Sequence, residues 1–427
     1  MDETSNRRKW LIISYFTDID TLACSHHIDD RITELRSKGI DPIILSDVCS
    51  PPSSDHRKTR TPSIAPSGMR YEMRYITKRM FPNKAIRNVV NIPFLLSILP
   101  AYALESLVLN FDCTWSWFLC AGIAAINICK KNDIDIIYST GGPFSAHLAA
   151  FMCARKTGLP WIAEYQDPIV GDWVIRRKTE QALMSKIENM VAKNADAIVY
   201  MTQIALEKAE RRCSMGVNGH VVYPGASADI FDNIAPQRKP NRKLTLGHFG
   251  SFGGNRNAGV VLKALESLAI KYPDAEKQIR LLLLGDMDRA QEVMLNEYPY
   301  QEMLDVRGKC SRTQSFQNML TCDLLLLIQN ASSGSSVSIP SKTYEYLHSG
   351  IPTFALTYEN LELQKMLVDL GHFAIDMQET ALVYETLEQV YLNWKESGRV
   401  NNKIDVSPYT TSAAAQRLME IGNTITK

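Results

Sequence analysis

A chain of 427 residues is too long for one ordinary hydrophobic core, so two domains are expected; 45% hydrophobic and 22% charged residues is a globular composition that excludes extended disorder. The 47 Lys and Arg nearly cancel the 46 Asp and Glu, so overall charge gives no case for nucleic acid and leaves only local basic patches. An odd count of 9 cysteines without a C-x-x-C pair, and 8 histidines without an H-E-x-x-H arrangement, point to a reducing cytoplasm and to no metal site.

The first apolar run, WLIISYF (10–16), follows basic residues as in a signal peptide but is too short for export and reads as a buried strand. A polar helix around 25–38, a strand at 41–46 and a long irregular region follow. Residues 87–129 are the most apolar part of the chain, yet Pro100, Glu105, Asn110 and Asp112 interrupt them before about 20 apolar residues accumulate, so no transmembrane helix is expected. The reading is a helical hairpin buried in the first domain, with Arg70, Arg74, Lys78, Arg79, Lys84 and Arg87 as a solvated flank. The alternative is peripheral contact of residues 70–110 with an anionic membrane.

A strand at 134–140, an amphipathic helix at 143–158 ending on Gly158, a strand at 160–165, a helix near 178–194 and a strand at 195–202 then alternate. That rhythm predicts a parallel sheet covered on both faces. It stops at 221–243, rich in Pro, Asn, Asp and basic residues, and restarts with strands at 244–251, 279–285, 303–308, 322–329 and 351–357 among helices near 257–271, 312–320, 360–370 and 380–396. The predicted layout is a first domain over 1–225, a linker over 226–243, a second domain over 244–405 and a terminal segment over 406–427, whose helix (412–425) has one apolar face in need of a partner.

Four stretches carry candidate chemistry. In IPSKTYEYLHSGIP (339–352), Pro340, Gly350 and Pro352 bound a short helix on which Lys342, Glu345 and His348 share a face. Wedged between two buried strands, Lys342 and Glu345 are either a structural ion pair or part of an anion site at a helix N-terminus. GHFGSFGGNRNAG (247–259) turns from strand to helix with Gly253 and Gly254, whose amides would approach a ligand, and the cation Arg256; its spacing is not a dinucleotide fingerprint. STGGPFSAH (139–147) repeats that layout with Gly141, Gly142, Ser145 and His147, the histidine either bonding a sugar hydroxyl or packing on the sheet. AEYQDPIVGDW (163–173) brings Glu164, Asp167 and Asp172 to a strand end, followed by Trp173, which would stack on a sugar or simply pack.

Together, IDIIYSTGGPFSAHLAAFMCARKTGLPWIAEYQDP, HFGSFGGNRN, LLLLGD and IPSKTYEYLHSGIP resemble the group 1, or family 4, glycosyltransferases of the GT-B fold, over residues 130–370. The resemblance implies an α/β chain of GT-B architecture, two Rossmann-like doubly wound domains facing each other across a cleft. It implies sugar transfer with retention of configuration from a nucleotide diphosphate sugar to a glycan or lipid-linked acceptor, without metal or separate cofactor. Gly253, Gly254, Arg256 and Lys342 match the donor-diphosphate site, Glu345 the ribose ligand, and Val306, Gly308 and Lys309 the base-binding segment. In the first domain, His147 and Asp167 take the catalytic positions, with Gly141, Gly142, Ser145 and Trp173 on the acceptor side; the terminal helix crosses back to that domain. A cytoplasmic place, at the inner face of the cell membrane where surface polysaccharide is assembled, goes with such an activity.

Three departures stand against the family pattern: Val337 occupies the place of the first glutamate of the Glu, seven residues, Glu motif, the loop 17–27 lacks glycine, and Gln166 stands where relatives often carry arginine. Two alternatives remain: a nucleotide-sugar epimerase of the same architecture, and a glycosyltransferase-like partner subunit without turnover.

Overall fold

Apolar runs bounded by glycine, proline and polar residues form strands buried on both faces, as parallel sheets under helices require. The computed structural model describes residues 7–19, 22–109, 111–171, 176–213, 218–232, 234, 243–400 and 402–426. Two units emerge, residues 1–223 with 411–427 and residues 224–410. The first contains β1 (Lys9–Ile13), α1 (Ala23–Ser37), β2 (Asp41–Asp47), β3 (Lys58–Thr61), α2 (Pro66–Met80), α3 (Lys84–Val108), α4 (Trp117–Lys131), β4 (Ile136–Gly141), α5 (Ser145–Thr157), β5 (Trp161–Tyr165), α6 (Lys178–Asn194), β6 (Ala197–Tyr200), α7 (Gln203–Cys213) and β7 (Gly219–Val221). Its sheet runs β3-β2-β1-β4-β5-β6-β7, and its pairs are parallel.

The second unit contains β8 (Leu244–Phe249), α8 (Gly259–Lys271), α9 (Ala275–Gln278), β9 (Ile279–Leu284), α10 (Arg289–Asn296), β10 (Leu304–Arg307), α11 (Arg312–Met319), β11 (Leu324–Ile328), α12 (Ser341–His348), β12 (Thr353–Thr357), α13 (Leu361–Asp369), β13 (Phe373–Asp376) and α14 (Thr380–Ser397). Its parallel sheet runs β10-β9-β8-β11-β12-β13. Leu246, Leu283, Leu326 and Phe354 meet Leu265 of α8 and Leu387 of α14 in one core. Chain direction across each sheet reverses between its first two central strands, β1/β4 and β8/β11, and crevices for ligands form outside the carboxyl ends of strands at such points.

The last helix, α15 (Thr411–Ile425), belongs to the first unit, where Ala414, Ala415, Leu418 and Ile421 join Trp10, Ile12 and Ile136. Gly422 permits that approach: a Cβ there would lie 2.8 Å from the Trp10 ring and 2.9 Å from Ile136. Burying Leu418 and Ile421 contributes roughly 1.5–3 kcal/mol each.

The region between β2 and β4 corrects the sequence reading. It is not irregular but holds a strand and three helices, and α3 continues through Pro93 and Pro100. Nor is α3 a buried hairpin arm: none of its residues is buried, and it rests on α2 with one face while large apolar side chains of the other stay exposed. By length and composition it is long and apolar enough to cross a membrane, with a hydropathy of 1.4 over an 18-residue window.

Candidate functional site

In the second unit the turn after β8 is fixed by close backbone approach. Gly250 N donates to Leu284 O, and a Cβ on Gly285 would fall 2.2 Å from Gly250 O, so only glycine fits beneath the turn. Here the expectation for the glycine amides fails: Gly253 N is bonded to Arg256 O at 3.1 Å and Gly254 N to Asp288 Oδ2 at 3.0 Å, so both are spent inside the protein. What the turn does present is Arg256. Its Nε has no partner, burial lowers its pKa, and it forms no ion pair among the described residues.

Helix α12 is held beside this turn by Tyr346, whose buried hydroxyl accepts from Phe249 N at 3.0 Å. Pro340 precedes its first turn and Gly350, at φ 68°, follows it. Lys342 Nζ lies 2.6 Å from Glu345 Oε2, and Arg312 Nη2 donates to Glu345 Oε1 at 3.1 Å. Both cations lie over the Phe316 ring, at 5.3 Å for Arg312 and 5.8 Å for Lys342. His348 leaves the cluster, donating from Nε2 to Tyr409 O. Beneath it all, buried His248 donates from Nδ1 to Leu326 O and stacks on Phe252, with Nε2 unpartnered. Burial lowers its pKa to about 4, and Arg256 and Lys342 add to the shift. A cation from the turn after β8 and one from the first turn of α12 thus both act on the buried His248 of β8. Sequence reasoning found both, but missed His248 and Arg312; Arg312 sits three residues beyond the Lys309 segment, and nothing local marks it as Glu345's partner.

Val337 is buried, so the position of the missing glutamate faces inward, and the serine-rich loop around it is held by Gln329 and Asn360, whose amides bond Ser335 O and Ser338 O. Val306, Gly308 and Lys309 are exposed at edge strand β10 and just beyond, with Lys309 Nζ 3.5 Å from Asp286.

The first unit closes its corresponding edge. His147 is correctly placed on α5 but is fully buried, with Nδ1 2.9 Å from Ser139 Oγ and its ring 4.5 Å from Tyr165. This corrects its catalytic assignment: burial lowers its pKa to about 4, and it packs between helix and sheet rather than opening to a ligand. Ser145 is equally buried; Gly142 is exposed, and Gly141 ends β4 at φ 134°. Asp167 stands exposed after β5, while Trp173 and Asp172 lie outside the described residues. Beside them is a network the sequence did not disclose: fully buried Glu164 accepts from Tyr138 at 2.8 Å and Thr140 at 3.2 Å, contacts His27 Nε2 at 2.7 Å, and lies 3.6 Å from Arg31. Burial alone would raise its pKa, but Arg31 and His27 outweigh burial and hold it at about 2. Gln166 bonds Thr140 and Cys24 O, tying this strand end to α1.

Among the described residues no group of three His, Cys, Asp or Glu stands together as metal ligands. Neither a protein-family model nor a curated protein matches the chain in sequence. Solved structures match it in fold. HepE of Anabaena in complex with UDP aligns with TM-score 0.61 and 10% identity, covering 98% of both chains. Sucrose-phosphate synthase of Thermosynechococcus elongatus aligns with TM-score 0.60 and 11% identity over 98% of this chain and 99% of that one. The lipopolysaccharide outer core galactosyltransferase WaaB, in its apo form, aligns with TM-score 0.58 and 13% identity over 97% and 99%. The chain thus has the GT-B glycosyltransferase fold along nearly its whole length.

Proposed function

We propose that this chain is a glycosyltransferase that moves a sugar from a nucleoside diphosphate donor to a glycan or lipid-linked acceptor with retention of configuration, in surface polysaccharide assembly at the cytoplasmic membrane face. The observation that carries the reading is the pair Arg256 and Lys342, a desolvated cation without an acidic partner among the described residues and a second cation on the first turn of α12, both acting on the same buried histidine. As the bond between sugar C1 and phosphate oxygen breaks, negative charge gathers on the departing diphosphate, and preorganised cations stabilise it there. Protein cations take this role in the proposal, with no metal and no cofactor beyond the co-substrate.

Lys342 already pairs with Glu345, yet its side chain is 32% exposed, and such a pair contributes only about 0–1 kcal/mol. A diphosphate takes the lysine at small cost, while Arg312 keeps Glu345 oriented toward the ribose. Val306, Gly308 and Lys309 frame the base. Asp167 takes the catalytic position in the first unit, with Gly141 and Gly142 on the acceptor side. HepE binds UDP, as its structure states, and uridine donors are the first to try.

The test is a thermal-shift and transfer screen with UDP, GDP, CDP and dTDP and their sugars. One nucleoside diphosphate raises the unfolding temperature, since a ligand that binds only the folded state stabilises it, and its sugar is transferred to an acceptor. Free epimerised nucleotide sugar with no acceptor product identifies an epimerase. Binding without turnover identifies a partner subunit.

A further inference from the structure

Helix α3 is the outermost layer of the first unit. Under it, α2 buries Gly68 and Glu72, and Glu72 accepts from Ser63 N at 2.7 Å. On its outer side α2 carries α3: Asn91 Nδ2 donates to Thr77 Oγ1 at 3.1 Å, Arg70 lies 5.1 Å over the Tyr102 ring, and Glu105 accepts from Ser67 N at 2.9 Å and Trp115 Nε1 at 2.6 Å. These ties run along the helix and fix which face points out. That face presents Val89, Ile92, Leu96, Leu99, Leu104 and Leu107, between 53% and 77% exposed. Single exposed aliphatics are ordinary; a continuous stripe of them along one helix marks a contact surface.

Charge decides what covers it. Residues 88–104 carry no charged side chain, while α2 and α3 carry Arg70, Arg74, Lys78, Lys84 and Arg87 in a chain whose net charge is only +1; Arg79, on the same hairpin, turns instead to the carbonyls of Cys49 and Ser50. The two acids of the hairpin, Glu72 and Glu105, are engaged with Ser63, Ser67 and Trp115. A second copy laid face to face would bring like charges together, whereas an anionic bilayer meets both the stripe and its rim. Spanning would carry the charged hairpin tip, with Lys78, Lys84 and Arg87, through hydrocarbon, where each charge costs about 2.5–3.5 kcal/mol at mid-bilayer, whereas a helix lying in the plane leaves them among the headgroups. Pro93 and Pro100 also leave helix carbonyls without their amide partners, which interfacial water satisfies and hydrocarbon does not. Next to the base of the hairpin lies a cavity of about 230 Å³ whose lining includes Arg70, Arg74, Tyr71, Tyr102 and Ser106, and also Glu105, whose carboxylate is taken up by Ser67 and Trp115.

We propose that α3 docks in the plane of an anionic bilayer, its Val89–Leu107 stripe among the acyl chains, and that Arg70 and Arg74 take a lipid headgroup phosphate in the adjoining cavity. The inference uses only residues 63–115 and stands apart from the reading of donor chemistry.

Co-sedimentation of the full chain with vesicles tests it, using phosphatidylcholine alone and phosphatidylcholine mixed with phosphatidylglycerol. Binding is expected to the anionic vesicles and to weaken as salt rises. Leu96→Glu with Leu99→Glu lowers the affinity by more than about tenfold, and Arg70→Ala with Arg74→Ala removes most of the preference for phosphatidylglycerol. Both double variants retain the parent unfolding temperature. No sedimentation at low salt overturns the proposal, as does binding unchanged in both variants. A dimer seen by light scattering that Leu96→Glu with Leu99→Glu dissociates overturns it as well, by assigning the stripe to a second copy.

Discussion

Each unit sets a glutamate near the carboxyl edge of a parallel sheet between two basic side chains, and the surroundings of the two clusters are opposite. Glu164 is 0% exposed, with Arg31 at 1% and His27 at 12%; Glu345 is 13% exposed, with Lys342 at 32% and Arg312 at 45%. A buried cluster cannot release a member without stranding a charge, so it locks α1 to β5. A half-exposed cluster exchanges a partner for a ligand at small cost, because water already screens it. Burial, not residue type, separates the locked cluster from the open one here.

The largest expected effect is acid instability confined to one unit. Burial lowers His248 and His372 of the second unit from 6.5 to about 4, and His372 Nδ1 accepts from Thr353 N at 3.1 Å, which a protonated ring cannot do. A lowered histidine pKa gives stability that is complete above 6.5 and lost as pH falls toward 4, roughly a few kcal/mol per residue. In the first unit His147 behaves likewise, but burial raises Asp29 and Asp47 to about 6 and Glu72 to about 7. Raised carboxyls have the opposite sign: the folded state takes up protons first, and stability rises as pH falls through those values. Hydrogen exchange by mass spectrometry between pH 7 and pH 4.5 should show the second unit losing protection before the first. Simultaneous loss would erase the contrast.

Next in size is Glu164→Gln, which leaves Arg31 buried without a counter-charge and should cost about 3–5 kcal/mol. Denaturant unfolding followed by tryptophan emission reports mainly the first unit, where Trp10, Trp117 and Trp161 are buried. The midpoint of that transition falls while the affinity for a nucleoside diphosphate stays constant. An affinity that drops as well would make Glu164 part of a binding site rather than an anchor.

Smallest is the loss in the open cluster. Arg256→Ala or Lys342→Ala should weaken a nucleoside diphosphate by about 1.5–3 kcal/mol, roughly ten- to a hundredfold, and the nucleoside by less. Glu345→Gln should weaken both ligands by similar factors, since ribose is common to them. Calorimetric titration compares the three. Unchanged diphosphate affinity in both cation variants would return Lys342 and Glu345 to a structural pair.

Which parts were legible follows from the range of the forces involved. The strands β8, β9, β11 and β12 are apolar runs closed by turn residues, a local pattern, and were placed within a few residues. Lys342 and Glu345 share a helix face by their spacing, and their pairing followed. The pairing of Glu345 with Arg312 spans 33 residues and that of Glu164 with His27 spans 137, and no local pattern carries either. For His147 the strand-glycine-helix spacing left open whether the ring met a sugar or the sheet, the family resemblance gave it the catalytic position, and burial decided for packing.

The sequence by itself determined the alternation of strand and helix, the break near 221–243, and the cations Arg256 and Lys342, because periodicity, turn chemistry and charge are written residue by residue. Only the tertiary structure decided that α15 seats Gly422 against Trp10 and Ile136, that Gly253 and Gly254 spend their amides internally, and that no residue of α3 is buried. Those outcomes depend on burial, which belongs to how elements stack and is invisible in any one of them. An apolar helix reads the same whether a core or nothing lies against it.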